Sequence, residues 1–159
     1  MQQDVSSHWF RPATQEDLVT VATWINSPRD CEFWAGKAVV YPLQLSTLGA
    51  DIGLSPRSSF CLDQHQIVAF GQLLDKGHGR AHLAKIIVNP ELRGQGIGKR
   101  LIENLLSKAR EELFSVLGLN VNPENHIAIN MYKGSGFDFV ERPPTVTASP
   151  GSLYMELTL

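Results

Sequence analysis

No basic block stands anywhere in this chain, whose 14 Lys and Arg are outnumbered by 16 Asp and Glu. The electrostatic attraction that drives nucleic-acid binding is therefore missing, and no nucleic-acid partner is expected. No apolar run approaches the roughly 20 residues of a membrane-spanning helix, so no membrane association is expected. Met1 to Trp9 hold neither Lys nor Arg, which argues against a secretory leader. Cysteine is scarce: Cys31 and Cys61 stand far apart with no CxxC spacing. A disulfide framework, a zinc site or any other metal site is not expected, and the reducing cytoplasm is the expected compartment. Repeats and low-complexity tracts are also absent. What remains is ordinary globular composition, 43% apolar and 19% charged. One domain over residues 1–159 is expected, long enough to bury a core without staples.

The pattern along the chain predicts a mixed α/β fold, with a mostly antiparallel central sheet flanked by helices. Trp9 to Pro12 reads as a first strand. Thr14 is placed to cap a helix running to about Trp24, with Glu16 and Asp17 suiting its positive end. Asn26 to Asp51 mixes Pro28, Gly36, Pro42 and Gly49 with aromatics, and reads as short helices and loops. Strands are predicted at Ser58 to Leu62 and Gln66 to Leu74, then a turn over Asp75 to Gly79, then a strand at Ala81 to Val88 pairing back as a hairpin. Gly96 to Glu112 carries the clearest helical stripe: Ile97, Leu101, Ile102, Leu105, Leu106, Ala109 and Leu113. A strand follows at Val116 to Val121, a short helix at Asn125 to Ser135, and strands at Phe137 to Glu141 and Leu153 to Leu159. A Pro-rich loop, Arg142 to Ser152, lies between the last two.

The most informative segment is Arg93-Gly94-Gln95-Gly96-Ile97-Gly98-Lys99-Arg100, between a strand and the strongest helix. Glycines let the backbone turn so that successive N–H groups converge. A helix start adds positive partial charge. Together with Arg93, Lys99 and Arg100 these make a phosphate cradle; the bland alternative is a tight strand–helix connection. The P-loop spacing fails by one residue between Gly94 and Gly98, and Arg100 stands where a Ser or Thr would hold magnesium. The dinucleotide fingerprint also fails, because the third glycine falls at Gly98.

The pattern Arg93-x-x-Gly96-x-Gly98 resembles the GNAT superfamily of acetyl-CoA-dependent N-acetyltransferases. The likeness runs through Ile86-Ile87-Val88-Asn89-Pro90-Glu91-Leu92 into the glycine turn. It returns at Asn125-x-x-Ala128-x-x-Met131-Tyr132-x-x-x-Gly136-Phe137. The resemblance implies acetyl-CoA as co-substrate and direct attack of an amine on its thioester. It implies a cofactor arm lying along the backbone of Ile86, Ile87 and Val88, in a split between that strand and Val116–Val121. Pyrophosphate would meet the amides of Gly94, Gln95, Gly96, Ile97, Gly98 and Lys99. Asn125 would reach the arm, or cap its helix, or both. Tyr132 would lie beside the thioester sulfur as proton donor. His82 stands where some family members place a catalytic Glu, eleven residues before Arg93; it is a candidate base, or a strand histidine satisfied by solvent. A Cys61–His65 nucleophile finds no other support, and Cys61 reads as a small buried residue.

The acceptor side is less legible. Asn26 to Asp51 and the loop Arg142 to Ser152 fall where such enzymes diversify. Phe33, Trp34 and Tyr41 among carboxylates suit an amine acceptor, small molecule or peptide, or merely pack. A silent CoA-binding sensor domain and a transferase using a longer acyl-CoA are the competing readings. A homodimer is left open.

Overall fold

The structure, a computed structural model, describes residues 9–159. The stretch Met1 to Trp9, whose lack of Lys and Arg argues against a secretory leader, lies, but for Trp9, outside the described residues. The elements are β1 (Trp9–Pro12), α1 (Gln15–Ala22), α2 (Pro28–Ala35), α3 (Leu45–Asp51), β2 (Ser59–Gln64), β3 (Gln66–Gly77), β4 (Arg80–Val88), α4 (Ile97–Glu111), β5 (Val116–Val121), α5 (His126–Gly134), β6 (Asp138–Phe139) and β7 (Leu153–Thr158). The strands form one sheet in the order β1-β2-β3-β4-β5-β7-β6. Among the described residues only β4 and β5 pair in parallel; the other neighbours are antiparallel.

Two apolar clusters cover the two faces. One joins α4 and α5 to the sheet through Leu101, Ile102, Leu105, Leu83, Leu117 and Met155. The other joins α1, α2 and α3 through Leu18, Val21, Trp34, Leu48, Phe70 and Ile87. The α1 start is fixed as Thr14 predicts. Its hydroxyl accepts from the Asp17 N–H, the Asp17 carboxylate accepts from the Thr14 N–H, and Arg11 pairs with that carboxylate at 2.8 Å.

Three boundaries differ from the sequence reading. The predicted turn at Asp75 to Gly79 shrinks to His78 and Gly79, both at positive φ, and β3 runs on to Gly77. A two-residue loop of that hand matches strand twist better than a longer one. Leu113 continues the α4 stripe by spacing but is 86% exposed. It occupies the left-handed position that ends the helix, with φ 63°, while Phe114 N–H reaches back to the Ala109 carbonyl. The strand expected over Phe137 to Glu141 is only Asp138–Phe139.

What positions the site is the way β4 parts from β5. Their ladder holds only Arg80–Leu83 against Val116–Leu119. At the same point β4 bulges against β3: Ala84 faces Gln72 but Ile87 faces Phe70, and Lys85 takes φ 53°. A bulge bends its strand and re-aims side chains. From Ala84 onward, β4 has no strand partner on the β5 side.

Candidate active site

The opening between β4 and β5 is a cavity of about 430 Å³. Ile86, Ile87 and Val88 line one wall, Asn120 and Val121 the other, and Ala128, Met131 and Tyr132 of α5 close the side. The glycine turn forms its end. Gly94 and Gly96 have φ of 80° and 79°, which only glycine adopts without cost. A Cβ on either would meet nothing within 4 Å, so the space in front of them is open. Among the described residues the N–H groups of Gly94 through Lys99 donate to no carbonyl; the first helical bond here runs from Arg100 to Gly96. Open space, unpaired donors, a helix start, and the nearby cations Arg93 and Lys99 suit a diphosphate. Gly98 has another task. A Cβ there would stand 2.5 Å from the Met131 sulfur and 3.5 Å from Val88 Cγ2, so its absence lets α4 and α5 close at the cavity end.

Of the sequence-predicted residues, Ile86, Ile87, Val88, Arg93, Gly94, Gly96, Ile97, Gly98, Lys99, Asn125 and Tyr132 all line this cavity. Gln95 does not; it lies exposed in the turn. The Asn125 side chain accepts from the Ala128 N–H at 3.3 Å, so it caps α5 while also facing the cavity. Tyr132 is 7% exposed, packed edge-on against Phe137, and burial pushes its phenol above the usual range. That burial keeps the hydroxyl protonated, a donor at all ordinary pH.

His82 lies elsewhere. It lines a second cleft of about 770 Å³, between the α2 end and the loop before β7. The two spaces meet along Leu83–Lys85 and Asn120–Val121, which line both. Burial, then the charges of Lys76, Lys85 and Arg142, push the His82 imidazole down to about 4. Its Nε2 is 3.4 Å from the Asn120 amide nitrogen. An amide nitrogen is only a donor, so Nε2 accepts and the ring is neutral. Asn120 is also donor to the Thr147 carbonyl at 3.1 Å and acceptor for Arg142 Nε at 3.0 Å; Arg142 in turn donates to the Ser152 carbonyl at 2.9 Å. Asn120 thus ties His82 to the Pro-rich loop, a role with no signal in the sequence beyond a polar residue in an apolar strand.

The aromatics of α2, Phe33 and Trp34, line both spaces and also pack. Trp34 is buried edge-on against Phe70, and its Nε1 donates to the Lys85 carbonyl at 2.8 Å, pinning the bulge. The Phe33 ring is already covered by Arg29 at 4.8 Å. Cys31 and Cys61 are buried free thiols, and burial pushes Cys61 up to about 12, far from nucleophilic. Among the described residues no three His, Cys, Asp or Glu cluster to hold a metal ion. No helix among them is long and apolar enough to cross a membrane.

This chain is similar in sequence to a curated protein and in fold to several solved structures. Over 80 residues it is 36% identical to the peptidyl-lysine N-acetyltransferase YjaB of Salmonella typhimurium, spanning 50% of this chain and 48% of that protein. The match thus spans about half the length of that curated relative. The GNAT domain of S. lividans PAT superposes with a TM-score of 0.77 at 18% identity, covering 96% of this chain and 90% of that one. YncA of Salmonella typhimurium, solved with its cofactor acetyl-CoA, gives 0.68 at 15% identity, covering 96% and 94%. The sequence model described as "Acetyltransferase (GNAT) family" matches residues 21–137, nearly three quarters of the chain and the whole of the cavity-bearing segment. On that match, this chain belongs to the GNAT family of acetyltransferases.

Proposed function

We propose that this protein transfers an acetyl group from acetyl-CoA to a primary amine. The observation that carries the reading is the unpaired run of amides at Gly94 to Lys99, with open space before Gly94 and Gly96, at the end of a cavity that Tyr132 also lines. Acetyl-CoA supplies the activated acetyl group as a thioester. The Gly94–Lys99 amides and the α4 start hold its diphosphate by hydrogen bonds and partial charge. Beyond the Lys85 carbonyl, which Trp34 occupies, the β4 edge has no strand partner on the β5 side and offers backbone groups to the amide-bearing arm, as a neighbouring strand would. Tyr132, neutral and without a hydrogen-bond partner among the described residues, donates its proton as the sulfur departs. The amine enters from the second cleft, where the two spaces meet at Leu83–Lys85. His82, proton-free through the neutral range, faces that cleft as acceptor for the amine's hydrogen, directly or through water. Peptide amines and small-molecule amines both fit this reading.

The test is acetyl-CoA offered with a panel of primary amines, reading free thiol and acetylated product by mass. Tyr132→Phe keeps the ring and its edge contact with Phe137 but removes the donor. Turnover is expected to fall by about 10²–10⁴ with acetyl-CoA affinity retained. Tight acetyl-CoA binding with no product from any amine supports a silent sensor instead. Turnover within twofold in the variant removes Tyr132 from the chemistry.

A further inference from the structure

The second cleft carries an electrostatic signature that its two exposed carboxylates do not cancel. Lys37, Lys76 and Lys85 line it, against Glu32 and Glu124. Glu124 is already paired with Arg29 at 3.2 Å. Asp75, next to Lys76, is turned away: its carboxylate accepts from the Gly77 N–H at 2.8 Å and lines a separate cavity under α4. Among the described residues neither Lys76 nor Lys85 has a carboxylate within ion-pair distance. Lys85 is half-buried, and it sits at the bulge in a left-handed backbone conformation fixed by the Trp34 bond. Burial and the neighbouring Lys76 both disfavour its charge, and the His82 imidazole feels the same two ammoniums. Lys76 and Lys85 line one cleft, the second of them partly out of water, and neither finds a counter-ion among the described residues.

Resting on the acetyltransferase reading, we propose that the accepted amine carries a carboxylate close to its nitrogen, and that Lys76 and Lys85 bind that carboxylate. An anion in a partly dehydrated cleft gains more from two ammoniums than it does in water. It also orients the amine toward the junction at Leu83–Lys85. A lysine-rich acceptor, by contrast, adds like charge to the same spot and is disfavoured. The positive field lowers the acceptor's own ammonium pKa, which favours the free amine that must attack. The amine nitrogen then forms the new C–N bond as the C–S bond breaks. Its proton passes to His82, directly or through water, the sulfur leaves as the thiol with the Tyr132 proton, and solvent returns a proton to Tyr132.

The experiment uses two matched pairs at equal free-amine concentration: β-alanine against β-alaninamide, and a short peptide amide with glutamate in second position against its glutamine counterpart. A peptide with lysine in that position is the opposite-charge control. The acid is expected to exceed its amide by about tenfold or more in kcat/KM in at least one pair, the pair that responds telling a free amino acid from a peptide terminus. The acid-to-amide ratio is expected to fall toward one in Lys76→Gln, an exposed position that tolerates the change, and in Lys85→Gln. A wild-type ratio near one, or a ratio that neither variant lowers, overturns the proposal. Calorimetric binding of the same compounds to the acetyl-CoA-loaded protein separates the two readings. Preferential binding of the acid without transfer sinks the transferase and keeps the anion site, and equal binding of acid and amide sinks the site.

Discussion

At His82 the sequence offers an imidazole that titrates near ~6.5 in water, while the fold makes it 8% exposed beside two lysines and an arginine it does not touch in sequence. Lys76 arrives from β3 and Lys85 from the bulge, and no spacing rule reports either. Tyr132 and Asn125 are legible only through the resemblance carried by Asn125-x-x-Ala128-x-x-Met131-Tyr132; helical spacing adds that the two can share one face. With a pKa near 4 in the fold, His82 binds a proton more weakly than in the unfolded chain. Its contribution to stability is therefore complete above about pH 6.5 and is lost as pH falls toward 4, a difference of about 3 kcal/mol. Urea unfolding of the wild type and His82→Gln between pH 7 and pH 4.5 checks this. The wild-type advantage should shrink as pH falls, and a constant difference across that range contradicts a buried neutral imidazole.

Among the elements, α4 was the easiest to read, since its buried residues Ile97, Leu101, Ile102, Leu105, Leu106 and Ala109 follow the helical period. Periodicity cannot see where a helix is stopped by its own C-terminal turn, so by spacing alone Leu113 reads as inward while the fold leaves it exposed. The short α2 and α3 carry too few turns for a stripe, and their tertiary contacts decide them. The glycine turn divides by element as well. Gly96 faces empty space, so Gly96→Val should cost only the left-handed strain, about 1–2 kcal/mol, while lowering acetyl-CoA affinity at least tenfold. Gly98 faces Met131 and Val88. Gly98→Val should instead act as overpacking between α4 and α5, costing about 1–3 kcal/mol of stability. Calorimetry beside thermal melts distinguishes the two. Equal affinity in a folded Gly96→Val protein would make that turn purely structural.

For the molecule as a whole, the antiparallel hairpin of β3 and β4 followed from the residues, but the parallel pairing of β4 with β5 did not. Parallel neighbours leave no turn signal, since a helix separates them, and only the family resemblance anticipated the split. Four paired residues on each strand, Arg80–Leu83 and Val116–Leu119, join the two halves of the sheet at this point. A ligand lying across the opening touches both halves, so it should stabilise the whole fold. Acetyl-CoA at 100 times its dissociation constant is expected to add about 2.7 kcal/mol. Thermal melts with acetyl-CoA, ATP and NADH test this, with new hydrogen-exchange protection expected at Ala84–Val88. Stabilisation by the nucleotides and not by acetyl-CoA contradicts the site. The same joint has a kinetic meaning. The chain closes a loop from Gly79 to Ser115, 36 residues apart, to bring β4 and β5 together. The helix within that loop starts at the glycine turn proposed to hold the diphosphate, and the two walls of the cavity do not exist before the loop closes. Contacts of such separation bear a loop-closure cost before they yield any reward, which makes them late events in folding. In a refolding chain, the return of acyl-CoA binding is thus a clock for the closing of the sheet's one parallel seam.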